Sequence, residues 1–183
     1  MITTLSCFSD IPVLQTDRLI LTPLNKTYIS KEYVDWMNDP EVNKYMSSGG
    51  DYTIQKLSEY LDDVEKKPKY FWAIILKESN KHIGNIKIDP INYKEQHGVY
   101  GIMIGDKNYW GMGIAREASL LVIDFCFNKL NLKRISLIFN RSNKSALKLY
   151  EKIGFCQEVN FNEGNNFKEE FEDNIRMNIF KHL

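Results

Sequence analysis

The segment Asn108-Tyr109-Trp110-Gly111-Met112-Gly113-Ile114-Ala115-Arg116-Glu117-Ala118 constrains this chain more than any other. It joins a short apolar run, Val99 to Ile104, to an amphipathic run, Ile114 to Phe127. The first is bounded by Gly105-Asp106 and reads as a strand. The second places Ile114, Ala118, Leu121, Val122 and Phe125 at helical spacing. Gly111 and Gly113 therefore sit where a strand becomes a helix. Glycine permits a sharp turn and close approach of a ligand to the backbone. The first amides of a helix have no partner within it, and the helix dipole favours negative charge there. Together these features predict an anion site for a phosphate or pyrophosphate.

Several nucleotide-binding patterns compete for such a loop, beside a plain strand-to-helix turn that holds no ligand. The P-loop closes on Lys-Ser/Thr, whereas Gly113 is followed by Ile114-Ala115-Arg116. The dinucleotide fingerprint needs a third glycine where this chain has Arg116. A further pattern, [Arg/Gln]-x-x-Gly-x-[Gly/Ala], is the pyrophosphate loop of acyl-CoA-dependent N-acetyltransferases. Trp110-Gly111-Met112-Gly113-Ile114-Ala115 resembles it, with Trp in the first position.

Downstream, Asn143-Lys144-Ser145-Ala146-Leu147-Lys148-Leu149-Tyr150-Glu151-Lys152-Ile153-Gly154-Phe155 resembles the second signature of the GNAT acetyltransferase superfamily, N-x-x-[SA]-x-x-x-Y-x-x-x-G-F. The signatures stand in the family's order, separated by a helix and a strand. The Trp-Gly-x-Gly-x-Ala form, followed by Glu117-Ala118, is similar to the ribosomal-protein N-acetyltransferase branch. The resemblance runs from Thr16 to the end of the chain. It implies an α/β (α+β) fold: a mixed, mostly antiparallel central sheet of about seven strands with a splayed central pair, flanked by about four helices.

The chain has 183 residues, 43% hydrophobic and 26% charged, which suits a single domain over 1–183 with a loose lead-in over 1–15. Its formal net charge of zero argues against a general basic surface for nucleic acid. No apolar run has the length of a membrane span, and the start lacks the basic-then-apolar pattern of a signal peptide. A cytoplasmic location is expected. Cys7, Cys126 and Cys156 lack metal-ligand spacing and imply no disulfide framework. Cys126 and Cys156 fall in apolar runs, where an inert buried thiol is expected. No His/Cys/Asp/Glu cluster suggests a metal, and no G-x-S-x-G elbow suggests a hydrolase.

Arg18 to Leu24 reads as the first strand, with Arg18 as a surface partner for a carboxylate. Tyr28 to Met37 is helical and broken by Asn38-Asp39-Pro40. A connection from Glu41 to Asp51 leads to a helix capped by Thr53, with Ile54, Leu57, Leu61 and Val64 as its buried stripe. Tyr70 to Leu76 and His82 to Ile88 read as a hairpin, the second strand ended by Asp89-Pro90. Arg134 to Phe139 is a strand and Asn143 to Lys152 a short helix. Phe155 to Phe161 and Phe171 to Phe180 read as a closing hairpin around Asn162 to Asn166. Glu158, Glu163, Glu169, Glu170, Glu172 and Asp173 make this region an acidic, solvated face.

The resemblance assigns roles residue by residue. Acetyl-CoA is the implied co-substrate, with no metal. Gly111, Met112, Gly113, Ile114 and Ala115 are to hold its pyrophosphate by backbone amides, with Trp110 packed beside them. Met103, Ile104 and Gly105 match the backbone that pairs with the pantetheine arm, one N–H serving the oxyanion. Asn143 matches the family's CoA-contacting Asn, and as a bare residue reads as a helix N-cap. Tyr150 matches the acid that protonates the departing thiolate; a phenol stays protonated at neutral pH. By spacing alone it is a core tyrosine beside Ala146, Leu149 and Ile153. The family's glutamate base has no counterpart near Val99, and His97 is the nearest substitute. Asp89, Glu95, Glu41, a water chain or an amine arriving neutral are alternatives. In the family, the first two helices and their connection, here Glu41 to Asp51, wall the acceptor site.

These readings predict an N-acetyltransferase acting as a monomer or homodimer. Its acceptor is a protein N-terminal amine or an amino sugar on a nucleotide carrier. The second is suggested by Ile83-Gly84-Asn85-Ile86-Lys87-Ile88 with Gly101-Ile102-Met103-Ile104-Gly105, which resemble acetyltransferases of surface-polysaccharide pathways. A polyamine or aminoglycoside acceptor, and a non-catalytic acyl-CoA sensor, are the alternatives.

Overall fold

The computed structural model describes residues 11–46, 49–66, 70–158 and 174–181. Its strands are β1 (Leu14–Gln15), β2 (Leu19–Pro23), β3 (Tyr70–Leu76), β4 (Lys81–Asn92), β5 (His97–Ile104), β6 (Arg134–Asn140), β7 (Cys156–Gln157) and β8 (Asn174–Phe180). They form one sheet in the order β1-β2-β3-β4-β5-β6-β8-β7. Neighbours are antiparallel except β5 and β6, which run parallel. The strand beyond those read from sequence is β1, where Leu14 pairs with Leu21 inside the expected lead-in.

Helices α1 (Lys31–Asn38) and α2 (Ile54–Lys66) cover one face of the sheet, and α3 (Ile114–Asn128) and α4 (Lys144–Lys152) the other. Strand β3 shows why its sequence is apolar without interruption. Phe71, Ala73 and Ile75 pack under α1 and α2, while Trp72 and Ile74 pack under α3 and α4. Ser30 caps α1, its hydroxyl accepting from the Tyr33 amide at 3.1 Å, so the helix begins later than Tyr28. Thr53 caps α2 as expected, accepting from the Lys56 amide at 3.2 Å. Leu57, Leu61 and Val64 are buried, but Ile54, on the same face, is half-exposed because it is the first residue of the helix.

Other expectations are corrected. Asp89-Pro90 does not end β4; the strand runs on to Asn92 with a register shift between Ile88 and Ile91. Such an irregularity accommodates a residue that cannot donate to the ladder. Cys126 is buried, whereas Cys156 is exposed on the two-residue strand β7. Of the closing hairpin, β7 and β8 are described and pair antiparallel; of the acidic face, Glu158 is described, accepting a hydrogen bond from Asn178 Nδ2 at 2.9 Å. The loop Asn162 to Asn166, Glu163, Glu169, Glu170, Glu172, Asp173 and Cys7 lie outside the described residues. Among the described residues no helix is long and apolar enough to cross a membrane.

One topological feature positions the site. Strands β5 and β6 pair only through His97 with Arg134, Gly98 with Ile135 and Val99 with Ser136. Beyond that point β5 stays with β4 as far as Ile104, and β6 stays with β8 as far as Asn140. The two central strands therefore diverge into a V that opens toward Ile104 and Asn140.

Candidate active site

At the open end, the chain leaves β5 through a 3-10 turn, Lys107–Tyr109, capped by Asp106. Gly111 and Gly113 then adopt φ of +74° and +76°, the left-handed region that favours glycine. Helix α3 starts after Gly113 without a side-chain cap, and its first backbone bond runs from Glu117 N to Gly113 O at 3.0 Å. The amides of Ile114, Ala115 and Arg116 have no partner within the helix. Trp110 is tied down: its Nε1 donates to the Ile104 carbonyl at 2.8 Å, fastening the loop to β5. A second tie runs through Tyr100, whose hydroxyl lies 2.6 Å from Ser119 Oγ; Ser119 in turn donates to Ala115 O at 2.5 Å.

Strand parity decides which β5 groups face the V. Gly105 N donates to Ile83 O at 2.9 Å, toward β4. Gln96 O accepts from Lys133 N and Arg134 N, toward β6. Successive residues turn their backbone groups to opposite edges of a strand. Ile102 and Ile104, not Met103 and Gly105, therefore present N–H and C=O groups to the V. The Ile104 carbonyl is already taken by Trp110, which leaves its N–H. Met103 packs with α1 and α2 instead. Gly105 lies under the Trp36 indole, where a Cβ would fall 2.2 Å from Trp36 Cδ2.

Asn143 is the N-cap of α4, its Oδ1 accepting from the Ala146 amide at 3.1 Å. Helix α4 carries Tyr150 to the back of the V. The ring stands edge-on to Tyr100 of β5, at 6.0 Å, and to Phe139 of β6, at 5.2 Å. A buried phenol thus bridges the diverging strands just above their last pair. Burial pushes its pKa up to about 12, so it stays protonated.

His97 is not brought to this group. It sits at the closed end of the V, with Nε2 2.7 Å from Ser136 Oγ. Burial, then the Arg134 guanidinium, hold its pKa below the ordinary imidazole value. Met103 lies six residues further along β5, roughly 20 Å at the usual strand rise. By alternation His97 also faces away from Tyr100 and Tyr150. The α1–α2 connection is better placed. Lys107, just past β5, binds Asp39 at 2.7 Å and Glu41 at 2.6 Å. On the other side, Tyr45 donates its hydroxyl to Ser142 O, just past β6, at 3.3 Å. The connection spans the mouth of the V from one strand end to the other. Sequence spacing carried no signal for these contacts or for Ile102.

A family model described as an acetyltransferase (GNAT) domain matches residues 18–156. The uncharacterised N-acetyltransferase p20 of Bacillus licheniformis is 31% identical over 152 residues, covering 79% of this chain and 83% of that protein. Spermidine N(1)-acetyltransferase of Escherichia coli K12 is 31% identical over 99 residues, covering 54% of this chain and 53% of that enzyme. Among solved structures, spermidine N-acetyltransferase from Vibrio cholerae in complex with CoA and spermine superposes with a TM-score of 0.75 at 23% identity, covering 90% of this chain and 96% of that one. The glycine loop, the splayed pair and Tyr150 all fall within the matched residues, and the chain belongs to the GNAT acetyltransferase family as an acetyl-CoA-dependent N-acetyltransferase.

Proposed function

We propose that the enzyme acetylates a small cationic polyamine by direct transfer at the mouth of the β5–β6 V. The observation that carries the chemistry is Tyr150, buried between Tyr100 and Phe139 where the strands part, beside a glycine loop with unpartnered amides. The amides of Gly111 to Ala115 hold the CoA pyrophosphate, with Trp110 as the wall that fixes the loop. The Ile102 and Ile104 backbone pairs with the pantetheine arm. One of these N–H groups stabilises the oxyanion. Asn143 keeps its capping bond through Oδ1 and offers its amide nitrogen to CoA. The amine nitrogen attacks the thioester carbonyl and forms a tetrahedral intermediate. Its collapse breaks the C–S bond, and Tyr150 gives its proton to the thiolate. The amine's surplus proton leaves to solvent and solvent returns one to the Tyr150 phenolate, which closes the cycle; His97, behind the closed end, is not assigned to this step.

Two features support the polyamine. Asp39 and Glu41 put two carboxylates at the mouth, and one ammonium, Lys107, answers both. Two carboxylates against one ammonium leave excess negative charge at the mouth, which favours a polycation over a singly charged amine. The chain is also similar to spermidine acetyltransferases. A second reading, a protein N-terminal amine, is favoured by the Trp110 to Glu117 signature of the ribosomal-protein branch.

The test is thiol release from acetyl-CoA with spermidine, N-terminal peptides, amino-sugar nucleotides and an aminoglycoside. Spermidine should turn over fastest, and Asp39→Asn with Glu41→Gln should raise its KM. Faster turnover of a peptide would replace the polyamine with the second reading. CoA binding without turnover on any amine would point to a sensor.

A further inference from the structure

We propose that Arg18 is a positioning residue for the donor loop, acting through the Met112–Gly113 peptide; this rests on reading that loop as the pyrophosphate site. Arg18 precedes β2 and lies 99 residues before its partner Glu117 in the first turn of α3. Its Nε donates to Glu117 Oε2 at 2.7 Å and its Nη2 lies 2.5 Å from the same oxygen. The remaining arm, Nη1, donates to the Met112 carbonyl at 3.1 Å. Glu117 cannot swing away, because Thr16 donates its hydroxyl to the other carboxylate oxygen. Thr16 is itself fixed, accepting from the Leu19 amide at 3.0 Å. The half-exposed guanidinium is thus held from two directions, by the Glu117 carboxylate and by the Met112 carbonyl.

An ion pair alone would leave Nη1 to water. Its bond to Met112 has a consequence for the loop. A trans peptide points its C=O and the following N–H in opposite directions. With the Met112 carbonyl drawn toward Arg18, the Gly113 N–H is turned the other way, to the side where an anion can be met. A cation on the carbonyl also polarises the peptide and strengthens that N–H as a donor. Arg18 further neutralises Glu117, whose carboxylate would otherwise repel a pyrophosphate from the same helix terminus. Trp110 brings no charge to the loop and spends its N–H on Ile104, whereas Arg18 brings a cation to the Met112 carbonyl.

The test compares two donors: acetyl-CoA, and acetyl-pantetheine, which lacks the pyrophosphate. Arg18→Ala should raise the KM for acetyl-CoA about tenfold, the scale of one charge-assisted hydrogen bond, with little change in kcat. Its KM for acetyl-pantetheine should not move. Arg18→Lys, which keeps the pair with Glu117 but lacks the fork, should show the same selective rise even if the alanine variant folds poorly. An equal rise on both donors, or none on acetyl-CoA, would overturn the proposal. If wild-type enzyme does not prefer acetyl-CoA, the loop itself is misread and the proposal falls with it. If wild type prefers it and both variants keep that preference, only the role of Arg18 falls.

Discussion

Gly105 is a glycine for a reason its neighbours in sequence do not reveal. Its φ is not in the left-handed region, so the requirement is steric: the Trp36 indole lies where a side chain would begin. Gly105→Ala should destabilise the fold by about 1–3 kcal/mol through overpacking, read as a lower midpoint in urea. An unchanged midpoint would mean that α1 moves off the strand freely. Tyr150 illustrates the opposite case. Its position was legible, because its spacing from Asn143 and Gly154 matches a signature. Its neighbours were not: that Tyr100 and Phe139 flank it follows from which strands part, a long-range property. The surroundings of His97 were hidden for the same reason. It is close in sequence to the central strand's start, but that start is the closed end of the V.

At the scale of elements, helix α3 was readable in place and length, as was the glycine turn before it. The edge of β5 was not, because parity depends on which partner each residue meets, and shifts every pairing by one strand side. Pairing with β4 turns the backbone groups of Met103 and Gly105 toward β4 and those of Ile102 and Ile104 into the V. The start of α3 is joined to β2 by a titratable contact. Burial alone would raise the Glu117 pKa, but the Thr16 hydroxyl and Arg18 outweigh it and hold it below the ordinary 4.5. A carboxylate lowered by folding contributes stability above its unfolded pKa and loses it as pH falls through the folded value. The melting temperature of wild type should therefore drop below pH 4.5 more steeply than that of Glu117→Gln. Parallel acid profiles would show that the contact is energetically silent.

At the scale of the molecule, three distant parts of the chain converge on the open end of one V. The segment before β2 braces the loop through Arg18, the α1–α2 connection crosses the mouth from Lys107 to Ser142, and α4 presents Tyr150 from behind. The sheet flanked by helices, the splay and a connection walling the acceptor site followed from the family resemblance; the contacts by which the connection crosses the mouth did not, since they join residues with no common pattern. In the proposed mechanism Tyr150 supplies the proton to the leaving thiolate, while the glycine loop, the Ile102 and Ile104 backbone and Asn143 hold the donor without it. The most direct measurement is Tyr150→Phe, read by steady-state turnover beside the thermal shift induced by acetyl-CoA. The ring contacts and core survive this substitution. Turnover should fall by about a hundredfold or more, while the acetyl-CoA shift is retained. Normal turnover in Tyr150→Phe would contradict the claim and return the residue to the core.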